Sequence, residues 1–102
     1  MLLMTNELEK TFKQYPIGSQ EGKCEEAVVV VKYFNPSGVG TWLITEGEKQ
    51  DDGDWLLYGY CHLFEWEWGY VTLSELESIS LPYGMKIERE VLNTDKKVKD
   101  YF

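Results

Sequence analysis

Four valines in a row, within AVVVVKYF at 27–34, constrain the fold more than any other segment. Branching at Cβ stiffens each side chain, disfavours helix and suits a pleated strand. An unbroken apolar run is expected of a central strand covered on both faces. NPSGVG (35–40) follows, with one proline and two glycines, and turns the chain back so that Thr41 to Glu46 returns as an antiparallel hairpin. GEKQDDGD (47–54) reads as an acidic loop. WLLYGYCHLF (55–64) reads as a long third strand in which Gly59 marks a bulge or a close approach.

Helical signals flank this β-rich middle. In TNELEKTFKQY, Thr5 or Asn6 can cap a helix, and Asn6 with Glu9 has the reciprocal box spacing. Leu8, Phe12 and Tyr15 share one face of that helix, and Pro16 stops it. IGSQEGKCEE is then a polar connection. In EWEWGYVTLSELESI (65–79), strand alternation puts Trp66, Trp68 and Tyr70 on one face and Glu65 and Glu67 on the other. Thr72 or Ser74 caps a short helix, with Ser74 and Glu77 at box spacing and Leu73, Leu76 and Ile79 on its apolar side. LPYG (81–84) is a turn, MKIEREV (85–91) a last strand, and 92–102 a charged tail prone to fraying. The expected fold is α+β: a twisted, mainly antiparallel sheet of five or so strands, an N-terminal helix, and a short helix after the fourth strand. With 102 residues, 1–102 is a single domain.

Apolar residues form 43% of the chain, enough to exclude disorder for its body. No apolar run approaches the roughly 20 residues of a membrane span, and MLLMTNELEK lacks the pattern of a secretory signal, so a cytoplasmic setting is expected. In a reducing compartment Cys24 and Cys61 stay thiols, and both are expected to be small buried side chains.

Charge is distributed unevenly. Between 46 and 77 lie nine acids (Glu46, Glu48, Asp51, Asp52, Asp54, Glu65, Glu67, Glu75 and Glu77) against Lys49 alone, so this stretch carries the whole formal net charge of −8. Such a field repels phosphate backbones and attracts cations or basic protein surfaces.

Motifs for catalysis are weak by comparison. Cys61 and His62 are adjacent on a strand and point to opposite faces, so they cannot form a nucleophile–base pair. Two cysteines and one histidine show no zinc spacing, and 46–54 lacks the register of a calcium loop. No cofactor or metal is expected. Glu65 and Glu67 lie roughly 7 Å apart along a strand, as any i, i+2 pair does, so the spacing is no signature of a hydrolase. Trp66 and Trp68 divide between two roles, core filling and anchoring an interface rimmed by acids.

The succession LMTNELE, AVVVVKYFNP, TWLITEGE, GYVTLSELESI and PYGMKIERE resembles the domain-of-unknown-function 2958 family over nearly the whole chain. The resemblance implies no established reaction, cofactor or catalytic residue. It implies a setting on bacterial plasmids, integrative elements and phages. The EWEW segment is richer in tryptophan than the family pattern, and the tail is short. Charge and setting together lead to an expected non-enzymatic binder of a basic protein surface, with no direct nucleic-acid or membrane contact. The expected contact residues are the nine acids and Trp66. The concrete form is an anti-CRISPR or anti-restriction protein that mimics nucleic acid. The alternative is an accessory factor docking on the element's own replication or transfer proteins.

Overall fold

Thr5 opens the first helix. In the computed structural model, which describes residues 2–90 and 96–102, α1 spans Asn6–Gln14, and the Thr5 hydroxyl accepts the Leu8 amide at 3.2 Å. With Thr5 as cap, the reciprocal box position falls on Leu8 rather than on an acid, so Asn6 and Glu9 do not serve as the box. Leu8 and Phe12 are buried beneath the helix. Phe12 lies over Gly47, where a Cβ would come within 2.7 Å of its ring, and 5.5 Å from the Trp55 ring centre. The missing side chain at Gly47 sets how closely α1 approaches the sheet.

The strands are β1 (Val31–Phe34), β2 (Thr41–Lys49), β3 (Trp55–His62), β4 (Trp66–Thr72) and β5 (Glu88–Arg89). They form one sheet in the order β4-β3-β2-β1-β5, every pair antiparallel. With α1 and the short helix α2 (Leu73–Ser78) the fold is α+β, as expected. β1 is shorter than the valine run. Val30 still donates to the Ile44 carbonyl at 2.8 Å, but Val28 bridges to Lys97 of the C-terminal segment. β2 is longer than expected and reaches Lys49, which confines the acidic turn to 50–54. β5 pairs with Tyr33 and Phe34, and the Glu90 amide donates to the Lys32 carbonyl at 2.9 Å; Val91 of the expected last strand lies outside the described residues.

Both faces of the sheet carry apolar clusters. On the helical face, Tyr33, Trp42, Ile44, Trp55 and Leu57 pack with Leu8, Phe12, Leu73 and Leu76. On the other, Ala27, Val29, Leu43 and Val98 are buried, with Tyr60, Trp66, Trp68 and Tyr101 packed against them. The ladder between β2 and β3 shifts register between Ile44 and Glu46. Gly59 faces this bulge, where a Cβ would stand 2.0 Å from the Leu43 carbonyl oxygen. Both expectations for Gly59, bulge and close approach, therefore hold at the same point.

Thr72 caps α2, and Glu75 completes the capping box. Helix begins at Leu73, directly after β4, so the amide that needs an acceptor is Glu75 and not Glu77. The expected Ser74–Glu77 box is replaced for that reason. The tail also departs from expectation where it is described. Residues 96–102 fold back on the second face: Val98 is 2% exposed, its amide donates to the Ala27 carbonyl at 2.9 Å, and Lys97 and Lys99 pair with Glu26 at 3.0 and 2.7 Å. Val98, Tyr101 and Phe102 give this charged segment enough apolar surface to dock. Residues 92–95 lie outside the described set.

Candidate functional site

β4 is an edge strand, and its alternation separates two surfaces. Trp66, Trp68 and Tyr70 lie beside Tyr58, Tyr60 and His62 of β3. Tyr60 stands 5.1 Å from Trp66 and 5.0 Å from Trp68, Tyr58 stands 4.7 Å from Tyr70, and His62 stands 5.0 Å from Trp66. Phe102 of the tail closes on Trp66 at 4.8 Å. This is the face away from α1 and α2. Trp68 and Tyr70 therefore do not hold the sheet to the helices, a role that falls to Trp42, Trp55 and Leu57. Trp66 and Trp68 are half-buried, and Tyr70 remains 62% exposed.

Acids line the opposite side of the β4 edge and the exposed side of α2. Glu65, Glu67, Glu75 and Glu77 are all exposed. Glu67 and Glu75 line one shallow cavity of about 560 Å³, with Trp42, Leu76 and Ile79 among its apolar walls. The β2–β3 turn joins this group through Asp54, which accepts the Ser74 hydroxyl at 2.5 Å and the Ser74 amide at 3.1 Å. Those bonds, the Ser74 hydroxyl foremost and then the Trp55 amide, hold the Asp54 carboxyl below its usual range. Asp52 in turn accepts the Asp54 amide at 2.9 Å. Asp51, Asp52, Asp54, Glu67 and Glu75 thus stand on elements tied to one another. Glu48 is exposed near the end of β2.

Glu46 belongs elsewhere. It is 3% exposed, and its two carboxylate oxygens accept the Gly18 amide at 2.7 Å and the Gln20 amide at 2.9 Å. The bulge in β2 turns it under the 16–23 loop, so it is no part of the exposed acidic surface. Gln20, not singled out by sequence, completes this anchor: its side chain donates to the Val28 and Thr45 carbonyls, both at 2.8 Å, and accepts the Val28 amide at 2.7 Å. A glutamate in mid-strand followed by glycine was the available signal.

The two cysteines differ. Cys61 packs against the helical core, and burial pushes its thiol up to about 11. Cys24 is exposed, contrary to expectation, on a residue with φ of 49° in the loop that crosses the second face. His62 and Cys61 project to opposite sides of β3, as a strand requires. Among the described residues no three histidine, cysteine or carboxylate side chains cluster to hold a metal, and no helix is long and apolar enough to cross a membrane.

Residues 3–102 match the family model described as "Protein of unknown function (DUF2958)", and the chain belongs to that family. No curated protein and no solved structure matches it.

Proposed function

We propose that this member of the DUF2958 family is a small non-enzymatic binding protein that docks an acidic ridge on a basic protein surface. The observation carrying this reading is the linkage of Asp52 and Asp54 in the β2–β3 turn to Glu67 and Glu75 about the β4–α2 corner, with Glu65 exposed before the other end of β4 and Glu77 exposed on α2. Among the described residues the ion pairs join Glu26 to Lys97 and Lys99, on the other face, and none neutralises the ridge. Unpaired, solvated carboxylates on a firm scaffold attract a basic groove at long range and suffer little reorganisation on contact. Exposed Leu63 and half-buried Ile79, which line the same cavity, supply apolar area for the contact.

In its concrete form the proposal places the protein in the cytoplasm, encoded by a plasmid, integrative element or phage. There it inhibits a nucleic-acid-targeting defence protein of the CRISPR or restriction type, its carboxylates occupying positions that phosphates would take. The test is the survival of a plasmid targeted by such a nuclease, with the protein or its Glu65→Lys/Glu67→Lys variant co-expressed. Protection by the native chain and its loss in a folded variant support the reading. Equal survival with both counts against it.

A further inference from the structure

The second face of the sheet carries a different kind of site. A cavity of about 390 Å³ opens between the loop around Gly18–Cys24 and the β3–β4 pair. One wall is aromatic: Tyr58 lies 5.8 Å from Trp68, their rings within 18° of parallel, and 4.7 Å from Tyr70. Glu46 lines the cavity from its buried position, and exposed Glu21 stands at the rim. No lysine, arginine or histidine is among the lining residues.

Each oxygen of Glu46 takes one backbone amide and keeps capacity for a second donor. The rings present electron-rich faces and the carboxylates a negative potential, so the cavity disfavours phosphates and other anions. The Tyr58 hydroxyl titrates above its ordinary value, from burial first and then from Tyr70 and Glu46, as expected where an anion is unwelcome. Elsewhere on this face the chain already places cations over a ring: Lys32 and Lys96 stand 5.6 and 5.1 Å from the Tyr101 centroid. Among the described residues no cation is so placed over Tyr58, Trp68 or Tyr70.

We propose that this cavity binds an organic cation of the guanidinium class, lying on the Tyr58–Trp68–Tyr70 wall with its N–H groups directed to Glu46. A guanidinium combines a planar, weakly hydrated surface for stacking with donors for a carboxylate. Trp68 and Tyr70 at the β4 edge also border the cavity of Glu67 and Glu75, but Tyr58, Glu46 and the Gly18–Cys24 loop do not, and the site does not depend on the ridge having a partner.

The experiment titrates ¹⁵N-labelled protein with N-acetyl-arginine amide and follows the Trp68 indole N–H and the Gly18 and Gln20 amides. N-acetyl-citrulline amide is the comparator, of the same shape without the charge. Saturable shifts at these three groups, with citrulline weaker by tenfold or more, are expected. Tyr70→Ala, an exposed position, should weaken binding by about three- to fivefold or more through loss of one ring contact. Glu21→Lys should weaken it through charge at the rim, and melting curves check that both variants fold. Acetyl-Ala-Arg-Ala-amide then separates the sources. Binding like the blocked amino acid assigns the cation to a polypeptide, exclusion assigns it to a free small molecule, and either result supports the cationic site. Equal binding of citrulline, indifference to both substitutions, or shifts confined to 50–54 and 73–78 would overturn the proposal.

Discussion

Gly59→Ala measures how tightly the centre of the sheet is built. A Cβ at this position would meet the Leu43 carbonyl oxygen at 2.0 Å and the Leu43 carbonyl carbon and Ile44 Cα at 2.8 Å. All three are backbone atoms of β2, held by pairing to strands on both sides, so no flexible side-chain tip can swing away. Either the β2–β3 ladder parts locally or the bulge at Ile44–Glu46 rearranges, and Glu46 with its loop moves too. Overpacking a core typically costs 1–3 kcal/mol, and a clash with rigid backbone belongs at the upper end, about 3 kcal/mol. For a domain near 100 residues that lowers Tm by roughly 12–24 °C. Gly69 is the internal control. It pairs directly with Gly59 in the β3–β4 register, yet nothing lies within 4 Å of the Cβ it would gain. Gly69→Ala should therefore stay within about 0.5 kcal/mol of the native protein. Thermal and urea melts of the two variants give the comparison directly. If Gly59→Ala melts like Gly69→Ala, the close approach inferred at the bulge is wrong.

Other consequences concern the tail, acid stability and the thiols. Val98→Ala removes two buried carbons from the second face and should cost about 1.6 kcal/mol at 0.8 per methylene, with faster amide exchange at Val98; an unchanged melt would mean the tail is not docked. Asp54 titrates below its ordinary 3.8, so its stabilisation is complete above that value and lost as pH falls through the folded pKa; Asp54→Asn should flatten the stability profile below about pH 4, and an identical acid limb would remove the turn–helix link. Iodoacetamide at neutral pH should label Cys24 and spare Cys61 in the folded chain, read by peptide mass; equal labelling would contradict the burial assigned to Cys61.

Local chemistry made much of this fold legible in the sequence. The 35–40 turn, the alternation of tryptophan and glutamate, and the apolar side of α2 are each decided within a few residues. What escaped depends on pairings distant along the chain. Glu46 reads as one more acid of a charged stretch until the bulge places it beneath the Gly18 and Gln20 amides, more than twenty residues earlier in sequence. The tail reads as polar because its three docking residues are diluted among charges, and Glu26, which binds two of its lysines, is about seventy residues away. Alternation puts Trp68 and Tyr70 on one face, but alone does not say which face the helices cover. That choice rests on α1 packing over Gly47 and α2 folding back on β3. Composition groups Glu46 with the exposed acids, from which its burial removes it, while the aromatic cavity becomes visible only with the loop's position.

The central claim, that the ridge is a docking surface, is tested most directly by paired measurements on Glu65→Lys/Glu67→Lys. Both side chains are exposed, so the substitution should leave the melting curve within about 0.5 kcal/mol of the native one. Affinity for the proposed nuclease partner should fall sharply, because two attractions become repulsions, and native affinity should weaken steeply between low and physiological salt. Undiminished affinity in the folded variant, with a flat salt dependence, would contradict the account and leave the ridge as solvated surface.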